Sequence, residues 1–179
     1  MELSNRDGWA VVHGLVLGTI FLLAFAGGLA GMWSFAWKLV TPEGVRERLR
    51  RLIVGTWGMA AVSWAAVITG TYVVYPWYRD APPQGTTGAA LEEYPRSFLL
   101  ADTSLDLWHK FGMEWKEHVA WLAPFLATAV AFAVLYYGAQ LIHRNEIRRA
   151  VIVFFVLAFA AAGVAGLFGA FITKAAPVG

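Results

Sequence analysis

Four side chains in this sequence can ligate a metal or exchange a proton near neutral pH: His13, His109, His118 and His143. An imidazole presents one nitrogen as an acceptor or metal ligand while the other carries a proton, and its charge changes close to physiological pH. There is no cysteine. Thiolate metal sites, disulfides and thioether attachment of a macrocycle are therefore excluded. His13 stands six residues after Asp7, inside the apolar stretch DGWAVVHGLVLG. His118 follows WKE and opens another apolar stretch. His109 lies nine residues before it in DTSLDLWHKFGMEWKEH, and His143 sits in the basic turn HRNEIRR. Ionisable groups at membrane depth are costly, so they are functional candidates by default.

The elements that must position these groups are legible from the charges. Of 179 residues, 59% are hydrophobic and 15% charged, with a mean hydropathy of +0.57. Asp, Glu, Lys and Arg are absent between Asp7 and Lys38, Arg51 and Arg79, Glu117 and Arg144, and Arg149 and Lys174. A helix crosses the hydrocarbon layer with about 20 residues, so each gap is long enough. The runs are continuously apolar and do not alternate with period two, which argues against a barrel. The expected fold is all-α: one membrane domain over 1–179, a four-transmembrane-helix bundle with spans at about 9–37, 52–76, 118–142 and 150–172. The outer loop spans 77–117. Its C-terminal part mixes Leu105, Trp108, Phe111, Met113 and Trp115 with charges and predicts an amphipathic interfacial helix, bent at Gly112. TPEG at 41–44 is a helix start, with Thr41 as cap and Pro42 in the first turn. The first run is too long for the apolar core of a cleaved signal and is read as a retained span.

Two short connections are basic. One carries Lys38, Arg46, Arg48, Arg50 and Arg51; the other carries Arg144, Arg148 and Arg149. Short Lys/Arg-rich loops stay on the cytoplasmic side. Both termini and the long loop then face outward, to the periplasmic side of a cell inner or plasma membrane. From Arg79 to Glu117 there are four basic and seven acidic residues, the expected asymmetry. A formal net charge of +2 gives no argument for nucleic acid. Glycines at three- and four-residue spacing in GGLAG (27–31) and GVAGLFG (163–169) allow helix backbones to approach closely. They serve tight internal packing or a docking face for another subunit.

This topology puts His13 and His118 on one side of the membrane, on two different helices. Two imidazoles at similar depth are what a low-spin haem b needs, one nitrogen on each face of the iron, with the ring edgewise in a slot lined by small residues such as Gly14. His109 competes with His118 for the partner role. On an unbroken helix nine residues place the two side chains on opposite faces, so they cannot both reach one iron. His109 is also a candidate for a haem propionate or a quinone headgroup. Arg79 and Arg96 are the natural propionate partners, since a guanidinium pairs with a carboxylate at two points. Thr69, Thr71, Tyr72, Tyr75, Trp77 and Tyr78 line the same end of span two. Pro124 is expected to kink span three and free a carbonyl. Each residue also has a plainer reading: a histidine bonded to a neighbouring carbonyl, an interfacial histidine, an aromatic belt with a snorkelling arginine. No span carries a central Asp, Glu, Lys or Arg, which disfavours ion transport.

The layout resembles the four-helix membrane b-type cytochromes of respiratory complexes, through the four spans together with His13 and His118. That resemblance implies one bis-His haem b. It also implies electron transfer between a quinone pool and a partner, such as an outer-side cytochrome or other subunits of a membrane redox complex. On this expectation the chain is an electron-transfer subunit and has no catalytic residue of its own. The competing expectation is a cofactor-free structural or assembly subunit.

Overall fold

The computed structural model describes residues 4–36 and 39–176. Lys38, one of the basic residues above, lies outside them. Among the described residues there is no strand. Four helices are long and apolar enough to cross a membrane: α1 (Asn5–Ser34), α2 (Pro42–Tyr78), α4 (Trp108–Ile142) and α5 (Asn145–Ala175). A short helix, α3 (Pro95–Ala101), lies in the connection between α2 and α4. At 1.5 Å per residue the 37 residues of α2 extend about 55 Å, more than the ~30 Å hydrocarbon layer. Its ends therefore project on both sides of any membrane it crosses.

The caps are where the sequence puts them. Ser4 and Asp7 form a reciprocal capping box at the start of α1. The Thr41 hydroxyl accepts from the Gly44 amide at 3.2 Å, and Pro42 opens α2. The helix then runs without a break from the basic connection into the apolar run, because nothing from Val45 to Thr69 interrupts it.

α1 packs on α2 and α5, α2 also on α4, and α4 also on α5. Two ends can be distinguished. The basic end carries the connections between α1 and α2 and between α4 and α5. The loop end carries Ser4, Ala176 and residues 79–107. From the basic end to mid-helix the contacts are apolar and close. Phe25 stacks on Phe159 with centroids 3.8 Å apart, flanked by Phe21 and Phe155. Gly28 admits the Phe155 ring; a Cβ there would stand 2.6 Å from Phe155 Cζ. Thr56 and Ser63 are buried, but their hydroxyls donate to Leu52 and Met59 carbonyls of their own helix. Arg148 Nη1 donates to the carbonyls of Phe35, Leu141 and Ile142, tying the ends of α1 and α4 to the start of α5. Outward, Leu22, Leu23, Phe132, Leu135, Leu157 and Leu167 are exposed, an apolar surface suited to lipid.

The segment read as an interfacial helix differs from expectation. Residues 108–118 are helical, but they form the first turns of α4 and pack along α5. Phe111 meets Phe168 edge-on, Trp108 lies against Phe171, and Met113 joins the buried cluster with Ile172. Gly112 makes the approach possible, since a Cβ there would be 3.4 Å from Phe168. The apolar residues that suggested an interface are satisfied by α5. The expected kink is present as a turn over 119–121. Pro124 has no N–H to offer Ala120, whose carbonyl accepts from Ala123 at 3.1 Å instead.

Candidate functional site

At the loop end the helices lose their regular winding. Three π-helical segments occur among the described residues: Val11–Val16, Gly70–Val74 and Trp108–Met113. All three lie at the loop end, and each contains or faces a histidine. Such segments are rare, insert an extra residue per turn and concentrate at functional sites.

His13 lies in the first π segment and is half-buried. Its Nδ1 is 3.1 Å from the Thr69 hydroxyl. That hydroxyl donates to the Ala65 carbonyl at 2.7 Å, so it accepts from His13, which fixes the proton on Nδ1 and leaves the Nε2 lone pair free. Gly70 opens the second π segment directly against the ring. A Cβ there would be 2.9 Å from His13 Cε1 and 3.4 Å from Nε2. Lys116, on α4, is within electrostatic reach of the same imidazole. Its ammonium lies 3.4 Å from the Ala165 carbonyl. It fits there because Gly169 has no side chain; a Cβ would stand 2.6 Å from Nζ.

Toward the end of the molecule a second group of polar side chains gathers. The Tyr78 hydroxyl and His109 Nδ1 are 2.9 Å apart, with rings 5.9 Å apart. Tyr78 is buried and stacks on Tyr75, and the Arg79 guanidinium lies over the Tyr75 ring at 5.4 Å. Glu117 and Arg96 both act electrostatically on Tyr78 and His109. The Glu117 carboxylate approaches the Tyr75 hydroxyl. Its Oε1 and the Arg96 Nε are nevertheless buried without hydrogen-bond partners. Buried polar atoms without partners are uncommon and each calls for an explanation. Helix α3 closes the group from outside: Pro95 and Leu99 are buried, and Leu99 packs in the cluster that contains Tyr78, Met113 and Ile172.

His118 is placed differently. Its side chain is 70% exposed, and its Nδ1 donates to the Glu114 carbonyl one turn back at 2.9 Å. Among the described residues no hydrogen bond or ring contact joins His13 and His118. Gly14 is exposed, and a Cβ on it would meet nothing within 4 Å. His143 is exposed at the basic end. No group of three or more His, Cys, Asp or Glu residues suited to a bare metal ion occurs among the described residues.

No protein family, curated protein or solved structure matches this chain.

Of the five binding residues expected from the sequence, the structure brings Arg79, Arg96 and His109 to one place, with Tyr75 and Tyr78. It sets His13 deeper, on α1 against Thr69 and Gly70 of α2, and His118 on the exposed side of α4. As donors the two histidines suit haem iron: each has Nδ1 engaged and Nε2 available, the arrangement that orients a ligating imidazole. Holding one iron between them would require the His118 side chain to leave its exposed position. Lys116 and Glu117 were not singled out by sequence reasoning, whereas Thr69 was among the hydroxyls read at the outer end of span two. Counting the charge-free gap from Glu117 ended span three at 118, so both charges were assigned to a loop. The usable signal was Gly169, a gap in α5 at the level of a long cationic side chain.

Proposed function

We propose that this chain is an integral membrane subunit of a redox complex that receives a quinone-type headgroup at its loop end, serving electron exchange between a quinone pool and a partner protein. The reading takes the four long helices as a bundle crossing an inner or plasma membrane. Both termini and the 79–107 connection lie outside, which the Lys/Arg-rich connections at the other end support. One observation carries it: the hydrogen-bonded Tyr78–His109 pair stands beside buried, unpartnered atoms of Glu117 and Arg96.

A bound quinone supplies two carbonyl oxygens that accept hydrogen bonds and take up protons on reduction. The Tyr78 hydroxyl and the His109 imidazole share one proton and can present it to an oxygen. Glu117 offers a carboxylate to hold a proton, and Arg96 balances its charge. Leu99 and α3 exclude water from the group. The test is a titration of the protein in nanodiscs with decylubiquinone and with a short-chain menaquinone, read by quenching of its tryptophans, of which Trp108 adjoins His109. Saturable quenching that weakens about tenfold in Tyr78→Phe and His109→Ala is expected, a loss of ~1.4 kcal/mol. Linear quenching of equal slope in wild type and both variants rejects the site.

Haem b is a second reading, favoured by the free Nε2 atoms of His13 and His118. A reduced-minus-oxidised absorption spectrum of protein made at full haem supply tests it. Bands lost in His13→Ala and kept in His143→Ala support it; a spectrum without bands rejects it. Failure of both tests leaves the cofactor-free assembly subunit.

A further inference from the structure

The basic end holds a feature that neither reading above uses. Between α1 and α2 an open groove of about 640 Å³ runs along the outer surface. Its walls come from Leu23, Ala24, Gly27 and Gly28 on α1 and from Val54 and Gly55 on α2. The helices meet closely at its floor, where a Cβ on Gly55 would lie 3.9 Å from Gly28 Cα. The glycines leave the trough empty: a Cβ on Gly27 would meet nothing within 4 Å.

At the basic end the apolar trough gives way to charge. Glu47, Arg50 and Arg51 line its mouth, on the same face of α2 as Val54 and Gly55, since three- and four-residue steps stay on one face. Glu47 is taken by Arg51, at 2.7 Å. Arg50 is exposed and has no hydrogen bond or ion pair among the described residues. The site therefore presents one uncommitted guanidinium and a second that is half-neutralised, above a glycine-walled apolar channel. That is the amphipathic profile of a phospholipid with a negative headgroup. A planar guanidinium grips phosphate oxygens at two points. Basic pockets between membrane helices on the cytoplasmic side are where anionic lipids concentrate.

We infer that the groove between α1 and α2 holds one anionic phospholipid, its phosphate on Arg50 and its acyl chain against Gly27 and Gly55. The inference rests on the membrane orientation proposed above and is independent of the quinone and haem readings. The lipid fills the gap left by Gly27 and Gly55 on the protein's surface and seals the α1–α2 seam at that depth.

Native mass spectrometry of the full chain released from detergent, with phosphatidylglycerol or phosphatidylcholine added, measures the site. One tightly retained phosphatidylglycerol is expected, in preference to phosphatidylcholine. Arg50→Gln should weaken it about fivefold, the worth of one charge at a membrane surface. Glu47→Gln, which frees Arg51, should tighten it. Gly27→Leu fills empty space and should abolish retention of both lipids while the melting temperature in detergent holds. Arg149→Gln removes an equal charge at the same end, away from the groove, and should change nothing. Equal retention of the two lipids, an Arg149→Gln effect as large as that of Arg50→Gln, or full retention by Gly27→Leu overturns the inference.

Discussion

The two ends of this molecule are built from the same apolar helices on different principles. From the basic end to mid-helix, glycine makes room for phenylalanine, buried hydroxyls turn back onto their own helix, and the Arg148 guanidinium is met by backbone carbonyls. At the loop end, glycine makes room for a histidine and a lysine, π turns replace regular winding, and a carboxylate oxygen and a guanidinium nitrogen are buried without partners. The first arrangement is what stability alone selects. The second costs stability, because an unpaired buried polar group carries a desolvation penalty of ~1–3 kcal/mol. Among the described residues that expense falls at the loop end, and it is the observation on which the proposed site rests.

Matched glycine substitutions break or sharpen this contrast most strongly. Gly28→Val drives a side chain into Phe155, which is fully buried and stacked. Overpacking of that kind costs ~1–3 kcal/mol and should appear as a clear drop in the detergent melting temperature. Gly70→Ala pushes only on the edge of the half-buried His13 ring, which can turn away. It should lower the melting temperature less, while shifting the His13 imidazole resonances in a nuclear magnetic resonance spectrum. Equal thermal losses would show that both ends pack alike.

Thr69→Val comes next in size. It removes the acceptor that fixes the His13 proton on Nδ1, a neutral hydrogen bond worth ~1 kcal/mol. The ring should then show both tautomers by nitrogen chemical shift; an unchanged shift means that Thr69 does not set it. The smallest effect belongs to the loop. Ser104 donates its amide and its hydroxyl to Asp102, which holds that carboxyl below the ordinary carboxylate range. A depressed folded value means that this contribution is present above the ordinary range and is lost as pH falls through the folded value. Asp102→Asn should lower stability slightly at neutral pH and leave it unchanged in acid below the folded value, which flattens the acid side of the profile. A change in acid as large as that at neutral pH contradicts the assignment.

Much of the architecture could be read from the chain. The four long helices follow from four charge-free gaps, and the start of α2 from Thr41 and Pro42. The limits of the helices were harder. Charge marks where a helix leaves lipid only if the charge has no other partner, and Lys116 finds one in the Ala165 carbonyl. The apolar face of residues 108–115 was legible; what it packs against was not, because α5 and a membrane surface offer it the same chemistry. At the site, Arg79 and Arg96 lie within electrostatic reach of His109, a grouping that residue type alone does not dictate. The relation of His13 to His118 was the least legible. Periodicity assigns a face by counting turns, and the π segments, which no residue pattern announces, reset that count.

The contact made by Arg148 has a mechanical side. One guanidinium holds backbone carbonyls from the ends of two other helices, whereas at the loop end the cross-helix bonds of His13, Tyr78 and Lys116 each join only two helices. A cluster of rods knotted at one end spreads as tweezers do, with displacement growing toward the free tips. Loosening the knot would let the rods slide as well as open.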